Sequence, residues 1–155
     1  MTPDDRFSVM SVNLWNTQRW PTREAPLRSL LARSPDVLCM QELRPALGAV
    51  IDDALPRHRR VDGSTRGWTR ESSIWWDEDR FTQLAHGAEP FGGVEPDRRV
   101  FWVRLAHRAS GVELVVATVH LTWLGGSDEV RTGLNPRLAQ SRAVVGVLDD
   151  VAGDG

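Results

Sequence analysis

Several residue types are scarce in this chain, and each scarcity excludes a class of protein. The 155 residues include one cysteine, which excludes a disulfide framework and a zinc site built on cysteines. That residue, Cys39, stands within an apolar run, where we expect a small buried side chain. A net charge of −2 excludes a broad basic surface for nucleic acid, so any anion-binding patch is local. No apolar run is long enough to span a bilayer and no signal peptide is recognisable, so we expect a soluble cytoplasmic protein.

The overall composition is that of one globular domain. Apolar residues make up 41% of the chain and charged residues 26%, as in folded soluble proteins. The length of 155 residues fits a single domain. The chain has no lysine and no tyrosine, so all 19 basic residues are arginines. The planar guanidinium group of arginine suits the oxygens of phosphate.

The first 43 residues predict a β-α-β unit. Residues 7–14 and 36–43 are short apolar runs, and the leucines between them have helical spacing that ends before a proline. Both faces of the first run are largely apolar, which predicts a buried central strand. The two runs are therefore expected to be neighbouring strands joined by a helix.

The rest of the chain predicts a second helix, several strands and a final helix. Residues 57–70 and 123–136 read as irregular segments. The order of elements predicts an α/β (α+β) fold, with one mixed sheet that the later strands extend and helices on one face. The expected segments are a helix over 45–55, strands over 72–76, 100–105 and 112–121, a short strand or loop over 81–91, and a helix from residue 137.

Polar side chains stand at the ends of the first two predicted strands. Asn13 ends the first apolar run, and Glu42 ends the second. Open α/β sheets bind ligands at the carboxyl ends of their strands, and carboxylate and amide oxygens suit a hard cation such as Mg²⁺. The structural alternatives are an asparagine that caps the strand end and a surface glutamate at a strand terminus.

Four further residues are candidates for phosphate chemistry. His120 ends a strong strand, where it suits a donor to phosphate or a general acid–base group, and Glu71 is placed to orient it. Arg98 and Arg99 precede the strand at residue 100 and suit a phosphate clamp. The alternatives are a packed histidine, an exposed glutamate and a solvated pair of arginines.

Seven tryptophans are an unusual number for a chain of this length. Trp15, Trp20 and Trp123 fall on predicted loops near the candidate site. Aromatic side chains at such positions stack on a base or a sugar, or else pack the loops themselves.

Several segments together resemble the endonuclease/exonuclease/phosphatase superfamily, which has a DNase-I-like fold. They are SVNLWN, VLCMQEL, ESSIWWDEDRF, RRVFWVRL and VVATVHLTW. The resemblance implies a four-layer sandwich of two packed sheets flanked by helices. It also implies a metal-dependent hydrolase that acts on a phosphodiester or phosphomonoester, with Mg²⁺ or Mn²⁺ as cofactor.

The resemblance also assigns roles to individual residues. It implies that Glu42 ligates the metal and that Asn13 helps to build the metal and phosphate site. It implies that His120 contacts the scissile phosphate, that Glu71 pairs with this histidine, and that one of the arginines at 98 and 99 binds phosphate. Nucleic acid, a phospholipid headgroup and a sugar phosphate all remain open as substrates.

The resemblance is incomplete towards the end of the sequence. The superfamily pattern continues with a Gly-Asp-x-Asn strand and a Ser-Asp-His motif, and neither stands in residues 1–155. We therefore expect a single domain that is the N-terminal portion of the superfamily domain, half of the four-layer sandwich. The alternative to an enzyme is a non-catalytic module that binds phosphate or a protein. We also expect an uncovered sheet face, with Trp102, Val116 or Val119 exposed, that binds the missing half or a second copy.

Overall fold

The computed structural model describes residues 6–92 and 95–153, which form seven strands and five helices. In chain order they are β1 (Val9–Asn13), α1 (Glu24–Leu31), β2 (Val37–Gln41), α2 (Pro45–Ala54), β3 (His58–Arg60), α3 (Gly67–Arg70), β4 (Ser72–Asp77), β5 (Phe81–Glu89), β6 (Val100–His107), β7 (Glu113–Thr118), α4 (Ser127–Thr132) and α5 (Pro136–Gly153).

The strands form two sheets. The first sheet has the order β1-β2-β4-β3, in which β1 and β2 are parallel and the other pairs antiparallel. The second sheet is antiparallel and has the order β5-β6-β7. The fold is therefore α+β, with a mixed sheet as predicted. The prediction that the later strands extend the first sheet was wrong for β5, β6 and β7, which pair only with one another.

Strand β2 shows how one short sequence serves two cores. Its side chains alternate between the faces of the sheet. Leu38 and Met40 belong to a core between the first sheet and helices α1 and α2. Val37 and Cys39 belong to a second core, between the two sheets. Burial raises the pKa of the Cys39 thiol to about 12, so this side chain is inert, and its predicted burial is confirmed.

In the described part of the chain, the face that was expected to be uncovered is largely covered, because the chain itself supplies a second sheet. Ile74 and Trp76 of the first sheet pack with Phe101 and Val103 of the second. The three residues predicted to be exposed are all partly buried, and they are Trp102, Val116 and Val119. The sequence did not indicate this outcome because the pairing of two sheets depends on contacts between distant segments.

The prediction of a buried central strand at residues 7–14 was also wrong. Strand β1 lies at the edge of the first sheet and its residues alternate between exposed and partly buried, with Val9 56% exposed. Met10 and Val12 pack against the core on the helical side. On the opposite side the second sheet does not cover β1 in the part of the chain that is described.

Three elements lie where irregular structure was expected. Strand β3 and helix α3 fall within residues 57–70, and helix α4 falls within residues 123–136. Each is at most six residues long, too short for a clear periodic pattern. No helix among the described residues combines the length and the hydrophobicity needed to cross a membrane.

Gly67 in α3 fits tightly against Phe101 of the second sheet, and alanine at this position should destabilise the fold. An added methyl carbon would lie 2.5 Å from Phe101 Cζ and 2.6 Å from the carbonyl oxygen of Asp97. Overpacking of this kind costs about 1–3 kcal/mol in the free energy of unfolding. Gly48→Ala in α2 is the matched control, because nothing lies within 4 Å of the added methyl there. We expect urea denaturation to show a loss for Gly67→Ala and none for Gly48→Ala; equal stabilities would contradict this packing.

Candidate active site

The candidate site begins where β1 and β2 end side by side. Asn13 is the last residue of β1 and lies opposite Gln41, the last residue of β2. Glu42 follows with a φ of 54°, a left-handed conformation that is uncommon for a residue other than glycine. The Glu42 side chain is bonded to Asn13, whereas Gln41 donates to Thr118 Oγ1 of the second sheet at 2.7 Å. The strand ends thus bring the amide and the carboxylate together as predicted.

Two asparagines hold the Glu42 carboxylate, one on each oxygen. Asn13 Nδ2 donates to Oε1 at 2.9 Å, and Asn16 Nδ2 donates to Oε2 at 2.5 Å. The sequence reasoning missed Asn16, although it lies in the same segment, SVNLWN, as Asn13. Asn16 Oδ1 is buried and has no hydrogen-bond partner. An oxygen of this kind beside a carboxylate is a candidate cation ligand.

The loop that carries Asn16 is held in an unusual conformation. Trp15 and Asn16 both have a φ of 51°, and Arg19 has a φ of 54°. The Arg23 guanidinium donates to three carbonyl oxygens of this loop, those of Leu14 at 2.6 Å, Asn16 at 3.0 Å and Gln18 at 2.7 Å. The guanidinium therefore stabilises backbone that these residues rarely adopt.

His120 joins Glu42 to a second carboxylate. It lies two residues beyond the end of β7. Its Nδ1 is 2.6 Å from Glu71 Oε1, and its Nε2 is 3.5 Å from Glu42 Oε1. The structure thus brings together four of the predicted site residues: Asn13, Glu42, Glu71 and His120.

Glu71 is buried at 6% exposure yet remains ionised. Burial opposes its charge, but the hydrogen bond to His120 and the charges of His120, Arg98 and Arg44 outweigh burial, so the pKa of Glu71 lies below its usual range. An ionised Glu71 accepts a hydrogen bond from His120 Nδ1–H, which leaves Nε2 directed towards Glu42. Glu71 contacts His120 in the way that the carboxylate of a catalytic triad contacts and orients its histidine.

The two candidate arginines are in different places. Arg98 Nε is 3.3 Å from Glu71 Oε1, so this arginine joins the site. Arg99 Nη1 instead donates to the carbonyl oxygen of Ala88 at 3.2 Å, at the end of the β5–β6 pair. Arg44, which the sequence reasoning did not select, also contributes charge near Glu71.

An open cavity of about 330 Å³ adjoins Arg98. Thr122 and Gln140 line one part of it, and Trp123 lies at its rim with 65% of its surface exposed. The cavity gives room for part of a ligand beside Arg98.

The donor set fits a weakly held magnesium ion better than a closed metal cage. Within residues 6–92 and 95–153 no cluster of three or more His, Cys, Asp or Glu side chains is placed to hold a metal. Mg²⁺ is commonly held by one or two carboxylates together with water and substrate phosphate. Glu42 supplies a carboxylate and Asn16 an unpartnered buried oxygen, which is enough for such an ion.

No protein-family model and no curated protein matches this chain. Solved structures do match. D. rerio TDP2 complexed with a single-strand DNA product has a TM-score of 0.68 and 23% identity, over 92% of this chain and 54% of that one. ANGEL2, described as a 2',3'-cyclic phosphatase and bound to adenosine-2',3'-vanadate, has a TM-score of 0.73 and 19% identity, over 94% of this chain and 48% of the ANGEL2 chain. The human Nocturnin catalytic domain with bound sulfate has a TM-score of 0.69 and 18% identity, over 95% of this chain and 59% of the Nocturnin chain.

All three belong to the endonuclease/exonuclease/phosphatase superfamily. This chain has the DNase-I-like fold of that superfamily. The predicted resemblance is thereby confirmed for the fold. The chain spans 48% of the length of the ANGEL2 chain and 59% of that of the Nocturnin catalytic domain.

The lowered pKa of Glu71 makes stability depend on pH in a defined direction. A carboxyl group whose pKa is lower in the folded state stabilises the fold above its ordinary pKa, and this contribution is lost as pH falls through the folded value. The ordinary pKa of a glutamate side chain is 4.5, so the loss should begin below that pH. We expect Glu71→Gln to be less stable than wild type at pH 7, with the difference shrinking below pH 4.5.

Chemical denaturation at a series of pH values measures this difference. Glu95→Gln is the control, because Glu95 contacts the same Arg98 but is 61% exposed at its side chain. Its stability should follow wild type at each pH. A Glu71→Gln difference that grew as pH fell would contradict an ionised, buried Glu71.

Proposed function

We propose that this chain carries the site of a metal-dependent phosphoesterase that hydrolyses a phosphodiester or phosphomonoester. The observation that supports it most is that His120 lies between two carboxylates. Glu71 contacts one nitrogen of the imidazole ring, and Glu42 lies near the other. The DNase-I-like fold, shared with phosphoesterases, gives this cluster its context.

Each side chain has a role in this proposal. Glu42 and Asn16 Oδ1 would hold Mg²⁺ or Mn²⁺, and Asn13 would fix the Glu42 carboxylate. When bound, the ion would stabilise charge on the phosphoryl oxygens and help to ionise the attacking water. His120 Nε2 would contact a phosphoryl oxygen, and Glu71 would keep the imidazole in the required tautomer.

Arg98 adds positive charge beside Glu71, near the same carboxylate oxygen that His120 contacts. It is mostly buried, with 17% of its side chain exposed, and borders the open cavity. A phosphate at His120 would gain from this nearby guanidinium, while the net charge of −2 disfavours tight binding to nucleic acid at large. Recognition would therefore be local to the site.

Among the three substrate classes we propose a phosphoester of a nucleotide or nucleic acid. One fold neighbour, TDP2, is complexed with single-strand DNA, and another, ANGEL2, with an adenosine vanadate. Those ligands belong to those proteins, and they make nucleotide esters the first substrates to test here.

A second candidate is a non-catalytic module that binds phosphate or a protein. Two observations favour it. The candidate metal position has a single carboxylate, and the chain spans only part of the length of its fold neighbours, 48% of ANGEL2 for example. In this candidate the chain binds phosphate or a protein without turnover.

Hydrolysis of bis-p-nitrophenyl phosphate by the purified chain separates the two candidates. The phosphoesterase proposal predicts turnover with Mg²⁺ or Mn²⁺ that stops when the metal is chelated and returns when it is added back. Binding of inorganic phosphate without any turnover would favour the non-catalytic module instead. Turnover that chelation leaves unchanged would contradict the metal-dependent mechanism.

A further inference from the structure

The three loop tryptophans have different surroundings, and one of them is tied directly to the site. Trp20 packs against the core between the first sheet and the helices, and Trp123 lies at the rim of the cavity. Trp15 is 52% exposed, and its backbone nitrogen donates to Asn13 Oδ1 at 2.8 Å. The same Asn13 amide donates to Glu42 at 2.9 Å, so one side chain links Trp15 to the carboxylate.

The position of Trp15 is unfavourable for a residue that only packs a loop. A bulky side chain with a φ of 51° is an outlier, because the left-handed region crowds the Cβ atom. An indole that leaves half of its surface in water gains little from burial to offset this cost. Backbone outliers of this kind concentrate at functional sites.

Arg23 holds the indole in place. Its guanidinium carbon is 5.7 Å from the centroid of the Trp15 ring, within the range of a cation–π contact. The same guanidinium is fixed by its bonds to carbonyl oxygens of the loop, including that of Leu14 at 2.6 Å. The ring is therefore ordered before a ligand arrives, which reduces the entropy lost when a ligand binds to it.

We propose that Trp15 is the stacking surface for a nucleobase of the substrate whose phosphate lies at His120 and Glu42. This inference rests on the proposed phosphoesterase function and adds the chemical group that the enzyme recognises. A neutral planar base stacks on an indole whatever its identity, which predicts a preference for nucleotide esters without a strong base preference.

The charge beside the ring argues against a cationic phospholipid headgroup as the occupant. A cationic phospholipid headgroup would be attracted by an indole, but the Arg23 guanidinium 5.7 Å from that ring repels a second cation. A sugar can also pack on an indole, but it lacks the planar aromatic face of a base, so an abasic substrate separates these two classes. Stacking of a neutral base is therefore the best use of this surface.

The test compares two substrates that share one phosphodiester. One is the dinucleotide thymidylyl-thymidine, and the other carries abasic tetrahydrofuran residues in place of both nucleosides. We would measure kcat/KM for each with Mg²⁺ in wild type, Trp15→Ala and Trp15→Phe. Stacking contributes enough per base that Trp15→Ala should lower kcat/KM for the dinucleotide about tenfold to a hundredfold. Trp15→Phe should keep most of it, and the abasic substrate should be unaffected by either change.

Each other result would overturn the inference in a distinguishable way. An equal loss for both substrates would mean that Trp15 acts through the shape of its loop. No loss for either would mean that the ring does not contact the substrate. Hydrolysis of both substrates by wild type with no effect of Trp15 would leave the proposed function standing alone. No hydrolysis of either by wild type would refute this inference, and it would refute the proposed function as well if bis-p-nitrophenyl phosphate were also left intact.

Discussion

Glu42→Gln is expected to lower metal-dependent phosphoester hydrolysis by about a hundredfold or more. Glutamine keeps the shape of the side chain but removes the negative charge that would attract a divalent cation, and loss of one such electrostatic group typically costs about 10²–10³ in kcat. It also places a donor where Glu42 now accepts hydrogen bonds from Asn13 and Asn16. The measurement is kcat/KM at saturating Mg²⁺, together with the melting temperature of the variant.

Glu78→Gln provides the matched control for this substitution. Glu78 follows β4 directly, as Glu42 follows β2, but the two strands are antiparallel, so Glu78 lies at the opposite end of the sheet. Its side chain is paired with Arg59 at 2.8 Å. We expect the Glu78 variant to hydrolyse like wild type. Equal activity of all three proteins would exclude Glu42 from the chemistry.

His120→Ala should have an effect of similar size, and Glu71→Gln should act only through it. A positioned acid–base group is typically worth 10²–10⁴ in rate, so loss of the imidazole should cost about that factor. Glu71 contacts the ring at 2.6 Å and orients it, which makes it a positioning residue. We therefore expect Glu71→Gln to cost less than His120→Ala, and the double variant to be no slower than His120→Ala alone.

A double-mutant cycle on kcat/KM measures this coupling. His86→Ala is the control, because His86 is exposed on β5 and contacts Gln83 rather than the site. It should leave the rate unchanged. If the losses from Glu71→Gln and His120→Ala simply multiplied in the double variant, Glu71 would act independently of the imidazole.

The ends of the strands made much of this site predictable from sequence. Asn13 and Glu42 break apolar runs at positions where neighbouring parallel strands terminate, so their proximity follows from the β-α-β pattern. His120 and Glu71 also flank apolar runs, and the structure joins them. Their catalytic roles stay predictions.

Other parts of the site have no local signal in the sequence. The Asn16 side chain contacts Glu42 because Trp15 and Asn16 both have a left-handed backbone conformation. Arg23 stabilises this conformation by donating to the carbonyl oxygen of Asn16. Hydrophobic periodicity describes strands and helices, and it contains no information on such a loop. Arg98 and Arg99 are neighbours with the same chemistry, and only packing places one at Glu71 and the other at Ala88.

The division of the strands into two packed sheets likewise could not be predicted from local sequence patterns. An apolar run predicts a strand, but not the sheet it joins, because pairing depends on residues far along the chain. The apolar run that forms β1 predicted a central strand, but β1 is an edge strand in the described chain. The strands β5 to β7 form a separate sheet. The second sheet covers β2 and β4 on the face that was expected to be open, but it does not cover β1 in the described chain.

Binding of Mn²⁺, followed by electron paramagnetic resonance in a titration of the purified chain, shows whether Glu42 holds a divalent cation. We expect one saturable site in wild type and in Glu78→Gln, and loss of that site in Glu42→Gln. Equal Mn²⁺ binding by all three proteins, or none by wild type, would contradict a divalent cation site built on Glu42.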